Sequence, residues 1–145
     1  MVSRAAPPAR SAFCHFETIG TRWSDNDAYG HVNNTVHYQW FDSIVNRWLI
    51  GQGLLDIGSG DPIALVVETG CRFHSPLRFP GEVELGLRVV EIGRRSVRYA
   101  IGVFAADCET AAAADGYFVH VAVARADRRP VPWPDRWRTA FAAIS

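Results

Sequence analysis

The segment from residue 34 to residue 50 constrains the fold more than any other part of this sequence. Its apolar residues recur at steps of three and four, which is the spacing of one face of an α-helix. Glycines at positions 51 and 53 are typical helix stop signals. The pattern therefore predicts one long, largely buried helix. Its apolar residues are Val36, Trp40, Phe41, Ile44, Val45, Trp48 and Leu49.

Four segments after this helix have the composition or the alternation of β-strands: residues 63–74, 82–92, 96–106 and 116–126. A further strand is predicted before the helix, at residues 13–23, and a short terminal helix at residues 135–144 with Asp135 as its cap. Consecutive strands with short links and one early apolar helix indicate an α+β fold, in which an antiparallel sheet curls around the helix. We expect residues 13–145 to form one domain and residues 1–12 to form a flexible tail.

The composition excludes several classes of function. Fifteen basic and fifteen acidic residues balance, so no overall field attracts nucleic acid or a membrane surface. All the basic residues are arginines, which excludes lysine Schiff-base chemistry and a phosphate-loop lysine. Neither a secretory signal nor an apolar run long enough for membrane insertion is expected. The three cysteines have no metal-binding spacing, so we expect reduced, mostly buried thiols in a cytoplasmic protein.

The polar segment that precedes the long helix carries the best candidates for chemistry. Asp27 lies just ahead of the helix, whose unpaired amides can polarise a carbonyl and hold an oxyanion. A carboxylate beside such amides is a minimal set for acyl transfer or hydrolysis. The alternative is an Asx-rich turn that only caps the helix, with Asn33 or Asn34 as the cap. Asp25 and Asp42 are the other carboxylates that could take this role.

Two further sets of residues are candidates. His31 could act as a base, although a lone histidine before a helix is more often structural. The five histidines show no ligand spacing, so we expect no metal. Arg94, Arg95 and Arg98 flank a hairpin turn, where their guanidinium groups could bind phosphates or could simply be solvated.

These residues also match a known family. The matching segments are residues 23–34 with Tyr38, Phe41 and Asp42, and residues 73–82, 95–99 and 116–121. Together they resemble the hotdog-fold acyl-CoA thioesterases of the 4-hydroxybenzoyl-CoA thioesterase type. The resemblance covers about residues 13–134, and its first motif is the most specific.

The resemblance implies a five-stranded antiparallel sheet wrapped around the long helix, in a homodimer or homotetramer with active sites at the subunit interface. By position, Asp27 matches the catalytic carboxylate and Asn34 the residue whose amide polarises the thioester carbonyl. His31 is retained as a catalytic candidate. We expect an acyl-CoA substrate, contacts to it from Asn33, Arg94, Arg95 and Ser96, and no cofactor.

Two other functions fit parts of the same pattern. A hotdog hydratase or dehydratase would have to use His31 and Asp42, but the proline-rich context usual after such a histidine is missing. A hotdog module that binds acyl-CoA without turnover would have no need of Asp27. Some branches of the family that this sequence resembles use an acidic residue on the helix. Asp42 is the acidic helix residue here, so it remains an alternative to Asp27.

Overall fold

The computed structural model describes residues 4–106 and 111–145. In chain order its main elements are β1 (His15–Gly20), α1 (Asn34–Gly51), β2 (Ile63–Phe73), β3 (Glu82–Ile92), β4 (Ser96–Ala105), β5 (Ala114–Val123) and α2 (Asp135–Ala143). Short 3-10 turns lie at Arg10–Ala12 and Trp23–Asp25. The predicted α+β fold is confirmed. The first strand is shorter than the predicted residues 13–23, and Trp23 belongs to the second 3-10 turn instead.

All five strands form one antiparallel sheet in the order β1-β3-β4-β5-β2. The register places Ser96 of β4 opposite Val121 of β5, and Val121 opposite Leu65 of β2. At the other end of the same strands, Phe73 pairs with Ala114. Strand β2 is therefore an edge strand, and its Phe73 end is far from the turn between β3 and β4.

Helix α1 contributes one face to the main core, as its apolar period predicted. Phe41, Ile44, Val45 and Leu49 are fully buried there. The helix comes close to the sheet at Gly116, where a Cβ atom would overlap the Gly70 carbonyl and approach the Phe41 ring to 2.5 Å. Glycine at this position therefore lets the helix lie near β5 and β2.

Helix α2 packs against α1 and contributes buried aromatic side chains to the core. Trp137 and Phe141 are fully buried, and the Trp48 ring stacks on Phe141 with centroids 6.1 Å apart. The terminal helix is thus present as predicted, but the predicted cap is wrong. Pro134 occupies the N-cap position and makes no side-chain cap, while Asp135 is the first residue of the helix.

The described part of the predicted tail lies against the domain. Arg4 donates to the Phe73 carbonyl at 3.0 Å, and the Ala112 amide donates to the Pro8 carbonyl at 2.9 Å. Arg10 pairs with Glu84 at 3.1 Å, and its guanidinium lies 4.9 Å from the centre of the Phe104 ring. Contacts from residues 4, 8 and 10 thus join this segment to the domain, while most of residues 4–12 are exposed.

Two cysteines fall within the described residues, and both are free. Cys14 is exposed and Cys71 is half-buried, so the prediction that the thiols are mostly buried is wrong for these two. Each lies on or next to an outer strand of the sheet, where cover from other elements is thin. Cys108 lies outside the described residues.

Candidate active site

The loop between β1 and α1 is held by an ion pair between an exposed arginine, Arg22, and a buried carboxylate, Asp25. Asp25 is only 1% exposed and takes two hydrogen bonds on Oδ1 from the Arg22 guanidinium, at 2.8 and 3.0 Å. Its Oδ2 accepts the Arg22 backbone amide at 2.7 Å. Both carboxylate oxygens accept hydrogen bonds from Arg22, and the side chain is buried. Asp25 therefore has a structural role.

The same loop is tied to the segment after β2. The Asn26 side chain accepts the Phe79 amide at 3.0 Å, and the Val32 amide donates to the Leu77 carbonyl at 2.7 Å. These bonds hold the residues just after β2 next to the start of α1. Two parts of the chain that are distant in sequence therefore form the walls of one site.

Asp27 forms a tight turn within this loop. Its Oδ1 accepts the Tyr29 amide at 2.8 Å, and its own amide donates to the His31 carbonyl at 2.8 Å. Gly30 adopts a φ of 78°, a conformation that favours glycine. The Asx turn considered from sequence is thus present, but Oδ2 of Asp27 has no hydrogen bond to any residue that the structure describes.

The first turn of α1 is only partly capped. Asn33 is the N-cap, and its Oδ1 accepts both the amide and the hydroxyl of Thr35 at 3.0 Å. The Asn34 amide donates to no group within residues 4–106 or 111–145. Asn34 thus leaves a free N–H at the positive end of the helix dipole, whereas the Asn33 side chain is used for capping.

Asp27 and Asn34 line the same cavity, which has a volume of about 350 Å³. His31 also lines it, so the structure brings together all three residues predicted as catalytic. Asn33, predicted to contact substrate, is not part of the lining. The other lining residues are Val32, His37, Phe73, His74, Ser75, Pro76 and Leu77.

His37 is a lining residue that sequence reasoning missed. It is 4% exposed, and burial lowers its pKa to about 4, so the ring is neutral at pH 7. The Trp40 and Phe73 rings meet it edge-on, with centroids 5.1 and 5.0 Å away. A histidine within an apolar helical face was the available signal, because a polar residue at a core position needs an explanation.

His74 is the second lining residue that was missed. Its Nε2 lies 2.6 Å from Oδ1 of Asp115 on β5, and Arg72 contacts the other oxygen of Asp115 at 3.2 Å. Asp115 therefore sets the orientation of the His74 ring at the cavity wall. No local spacing could reveal this pair, because its members lie 41 residues apart.

His31 contributes a more exposed ring to the same wall. The nearest group to its Nε2 is Nη2 of Arg78, at 3.4 Å. The backbone carbonyl of His31 accepts from Asp27, so the residue also helps to hold the turn. His31 combines a structural role with a position at the cavity.

The other predicted residues lie elsewhere in this chain. Arg94 and Arg95 are exposed at the turn before β4, and Ser96 lies level with Leu65 of β2. From Leu65 to Phe73 is about 26 Å at the rise of a β-strand. Within one chain, the arginine turn and the cavity are therefore at opposite ends of the sheet.

Asp42 does not join the site either. It is exposed on α1, and its carboxylate accepts a hydrogen bond from Asn46 at 3.1 Å. It is not among the residues that line the cavity. The two alternatives that rely on Asp42, the helix-acid mechanism and the hydratase, therefore have no support from the cavity within one chain.

Within the described ranges, no three His, Cys, Asp or Glu side chains are grouped so that they could hold a metal ion. None of the described helices has both the length and the apolar character to cross a membrane.

Several solved structures share this fold. The PA5185 protein of Pseudomonas aeruginosa strain PAO1 is 46% identical, with a TM-score of 0.91 and coverage of 96% of both chains. The 1,4-dihydroxy-2-naphthoyl-CoA thioesterase Slr0204 of Synechocystis is 20% identical, with a TM-score of 0.78 and coverage of 88% of this chain and 94% of that one. The gentisyl-coenzyme A thioesterase BH1999 is 23% identical, with a TM-score of 0.73 and coverage of 88% and 99%. The last two likenesses show the fold alone.

No curated relative matches the chain. The model of one protein family, described as the thioesterase-like superfamily, matches residues 21–141. That range includes the whole cavity and all of α1, β2, β3, β4 and β5. The match confirms the resemblance seen in the sequence, and the chain belongs to the thioesterase-like superfamily.

Proposed function

We propose that this protein hydrolyses the thioester bond of an acyl- or aroyl-CoA. The observation that carries the proposal is that the Asp27 carboxylate and the free N-terminus of α1 line one cavity. The first can attack a carbonyl or activate water, and the second can stabilise the negative oxygen that results. Membership of the thioesterase-like superfamily supports the same reaction.

The reaction would begin with the thioester oxygen at the Asn34 amide. Oδ2 of Asp27, which has no partner among the described residues, then attacks the carbonyl carbon or takes a proton from an attacking water. The bond from carbon to sulfur breaks, and CoA leaves as a thiolate. In the nucleophilic route, water afterwards hydrolyses the acyl-aspartyl anhydride and restores the carboxylate.

We infer that an aroyl or short acyl group fits the part of the cavity that one chain supplies. Its volume of about 350 Å³ is at the small end of ligand sites. The Phe73 ring and three histidines line it. Two structures that share the fold are named for the thioesters of hydroxylated aromatic acids, so aroyl-CoA substrates belong in the test panel.

A homodimer would complete the site. Leu65, Val66 and Val67 are exposed on the free edge of β2, where unpaired strands invite pairing with a second chain. Antiparallel pairing of two β2 edges about a twofold axis would bring the arginine turn of one copy toward the cavity of the other. Arg94, Arg95 and Ser96 could then contact the CoA nucleotide, although they are remote from the cavity in their own chain.

Free thiols are the basis for predicting a cytoplasmic protein. Cys14 and Cys71 are unpaired, as expected in a reducing compartment. Acyl-CoA is the partner that this assignment requires, and neither a cofactor nor a nucleic acid takes part in the proposed reaction.

Thiol release from a panel of acyl- and aroyl-CoA substrates tests the proposal. Asp27→Asn should fold, because Oδ1 of the amide can still accept the Tyr29 amide. Its kcat should fall by about a thousandfold or more if the carboxylate attacks or activates water.

Asp42→Asn is the matched control, since it makes the same chemical change at an exposed carboxylate outside the cavity. It should keep the wild-type rate. Full activity of Asp27→Asn would refute the proposed role, and loss of activity only in Asp42→Asn would move that role to the helix. A wild type that binds acyl-CoA without releasing thiol would identify a binding module instead.

A further inference from the structure

His37 is a buried titratable group that the proposed reaction has not yet used. It lines the cavity beside Asn34 and is 4% exposed. Its Nδ1 is completely buried and has no hydrogen-bond partner in the described part of the chain. The ring edge that borders the cavity is therefore the one that carries Nε2.

The buried nitrogen also indicates where the proton lies. A neutral imidazole carries one N–H, and the other nitrogen is an acceptor. A buried N–H without an acceptor is rarer in proteins than an acceptor with an unused lone pair. The proton is therefore expected on Nε2, which makes His37 a hydrogen-bond donor toward the cavity.

Helix geometry directs this donor toward the free end of α1. His37 follows Asn34 by three residues, so the two share one face of the helix. Side chains of an α-helix lean toward its N-terminus, and the ring therefore lies over the preceding turn. Nε2–H and the Asn34 amide both lie at the end of α1 that opens into the cavity.

We propose that His37 is a second hydrogen-bond donor to the thioester oxygen, so that its Nε2–H and the Asn34 amide together form the oxyanion site. This inference rests on the proposed thioester hydrolysis. His37 transfers no proton: its hydrogen bond strengthens as the carbonyl oxygen becomes negative and weakens when the carbonyl forms again. It is thus a catalytic residue that sequence reasoning did not identify.

The surroundings of His37 suit a fixed, neutral donor. The Trp40 and Phe73 rings hold the imidazole from two sides. A donor held in place before the reaction needs little reorganisation as charge develops, which is the source of its effect on rate. Asp27, His31 and His74 are the other titratable groups that line the same cavity.

Two substitutions distinguish the effect of the Nε2–H donor from the effect of the aromatic ring. His37→Phe keeps an aromatic ring between Trp40 and Phe73 but removes Nε2, and should lower kcat by about a hundredfold with little change in KM. His37→Gln places an amide N–H near the position of Nε2 and should recover about tenfold or more of that loss. His120→Phe is the matched control, because His120 is a buried histidine with an unpaired Nδ1 outside the cavity lining.

The inference is overturned if His37→Phe keeps the wild-type kcat, or if His37→Gln loses as much activity as His37→Phe. It is also overturned if His120→Phe loses as much, since the effect would then come from the core. If His37→Phe does not fold, nitrogen-15 NMR of the histidine rings in the wild type tests the inference, because it reports the charge of His37 and the nitrogen that carries the proton. The expected result at pH 7 is a neutral His37 with its proton on Nε2, and a charged ring or a proton on Nδ1 would refute the inference.

The wild-type assay separates this inference from the proposed function. A wild type that hydrolyses no thioester in the panel overturns both, and it does so before any variant is compared. An active wild type whose rate depends on Asp27 but not on His37 overturns the inference alone. Failure of the proposed function and failure of the His37 inference can therefore be told apart by these assays.

Discussion

His120 offers a direct test of how burial controls charge in this protein. It is 1% exposed, and the Tyr99 and Phe118 rings meet it edge-on with centroids 5.7 and 4.9 Å away. Burial lowers its pKa from 6.5 to about 4. The unfolded chain therefore takes up a proton near pH 6.5, whereas the folded protein resists protonation until about pH 4.

Because of this difference, the free energy of unfolding decreases as pH falls from about 6.5 to about 4. Above pH 6.5 both states are neutral and the stability is fully present; it is lost as pH falls toward 4, below which both states are charged. One pKa unit corresponds to about 1.4 kcal/mol, so a pKa lowered from 6.5 to about 4 gives a full loss of roughly 3 to 4 kcal/mol. Between pH 7 and pH 5 the expected loss from His120 is about 2 kcal/mol. His37, with its pKa also lowered to about 4, should add a similar amount.

Urea unfolding followed by tryptophan fluorescence measures the effect at pH 7 and pH 5. The protein concentration is kept constant, because a homo-oligomer gains apparent stability with concentration. Between pH 7 and pH 5, the free energy of unfolding of His120→Phe should decrease by about 2 kcal/mol less than that of the wild type, because the variant has no group to protonate at this position. Carboxylates contribute equally to both proteins and cancel in the comparison. An equal loss in wild type and variant would refute the claim that burial keeps His120 neutral.

Two further predictions concern the proposed homodimer. Replacing both Arg94 and Arg95 by alanine should raise KM for acyl-CoA while sparing small thioesters without the nucleotide, and equal effects on both substrate types would contradict nucleotide binding. Val67→Lys places a charge on the exposed β2 edge, where Val67 is 61% exposed, and should shift the protein toward monomer in analytical ultracentrifugation with little change in monomer stability. An unchanged sedimentation coefficient would show that the protomers do not pair along β2.

Local periodicity determined the elements of this fold. The three- and four-residue spacing of apolar side chains predicted α1 to within one residue at its C-terminus, and alternation predicted β3 at its observed bounds. Turn chemistry was equally local: Asp27 and Gly30 form the tight turn that their types favour. Such features depend on neighbours in the chain, which is why a single sequence contains them.

The composition of the cavity depended on contacts between distant segments. His37 could be placed on an apolar helical face, but only the packing of Phe73 against it makes the ring a buried, neutral member of the site. His74 and Asp115 meet because β2 and β5 are neighbours, and no spacing within either strand predicts that pairing.

The long helix, the strands and the Asp27 turn could be predicted from the sequence, because each depends on residues within a few positions of one another. The position of the β2 end opposite the start of α1, and of Arg94 and Arg95 at the other end of the sheet, became known only from the folded chain. Strand order and register set those distances, and they follow from how the whole sheet buries its apolar face on α1.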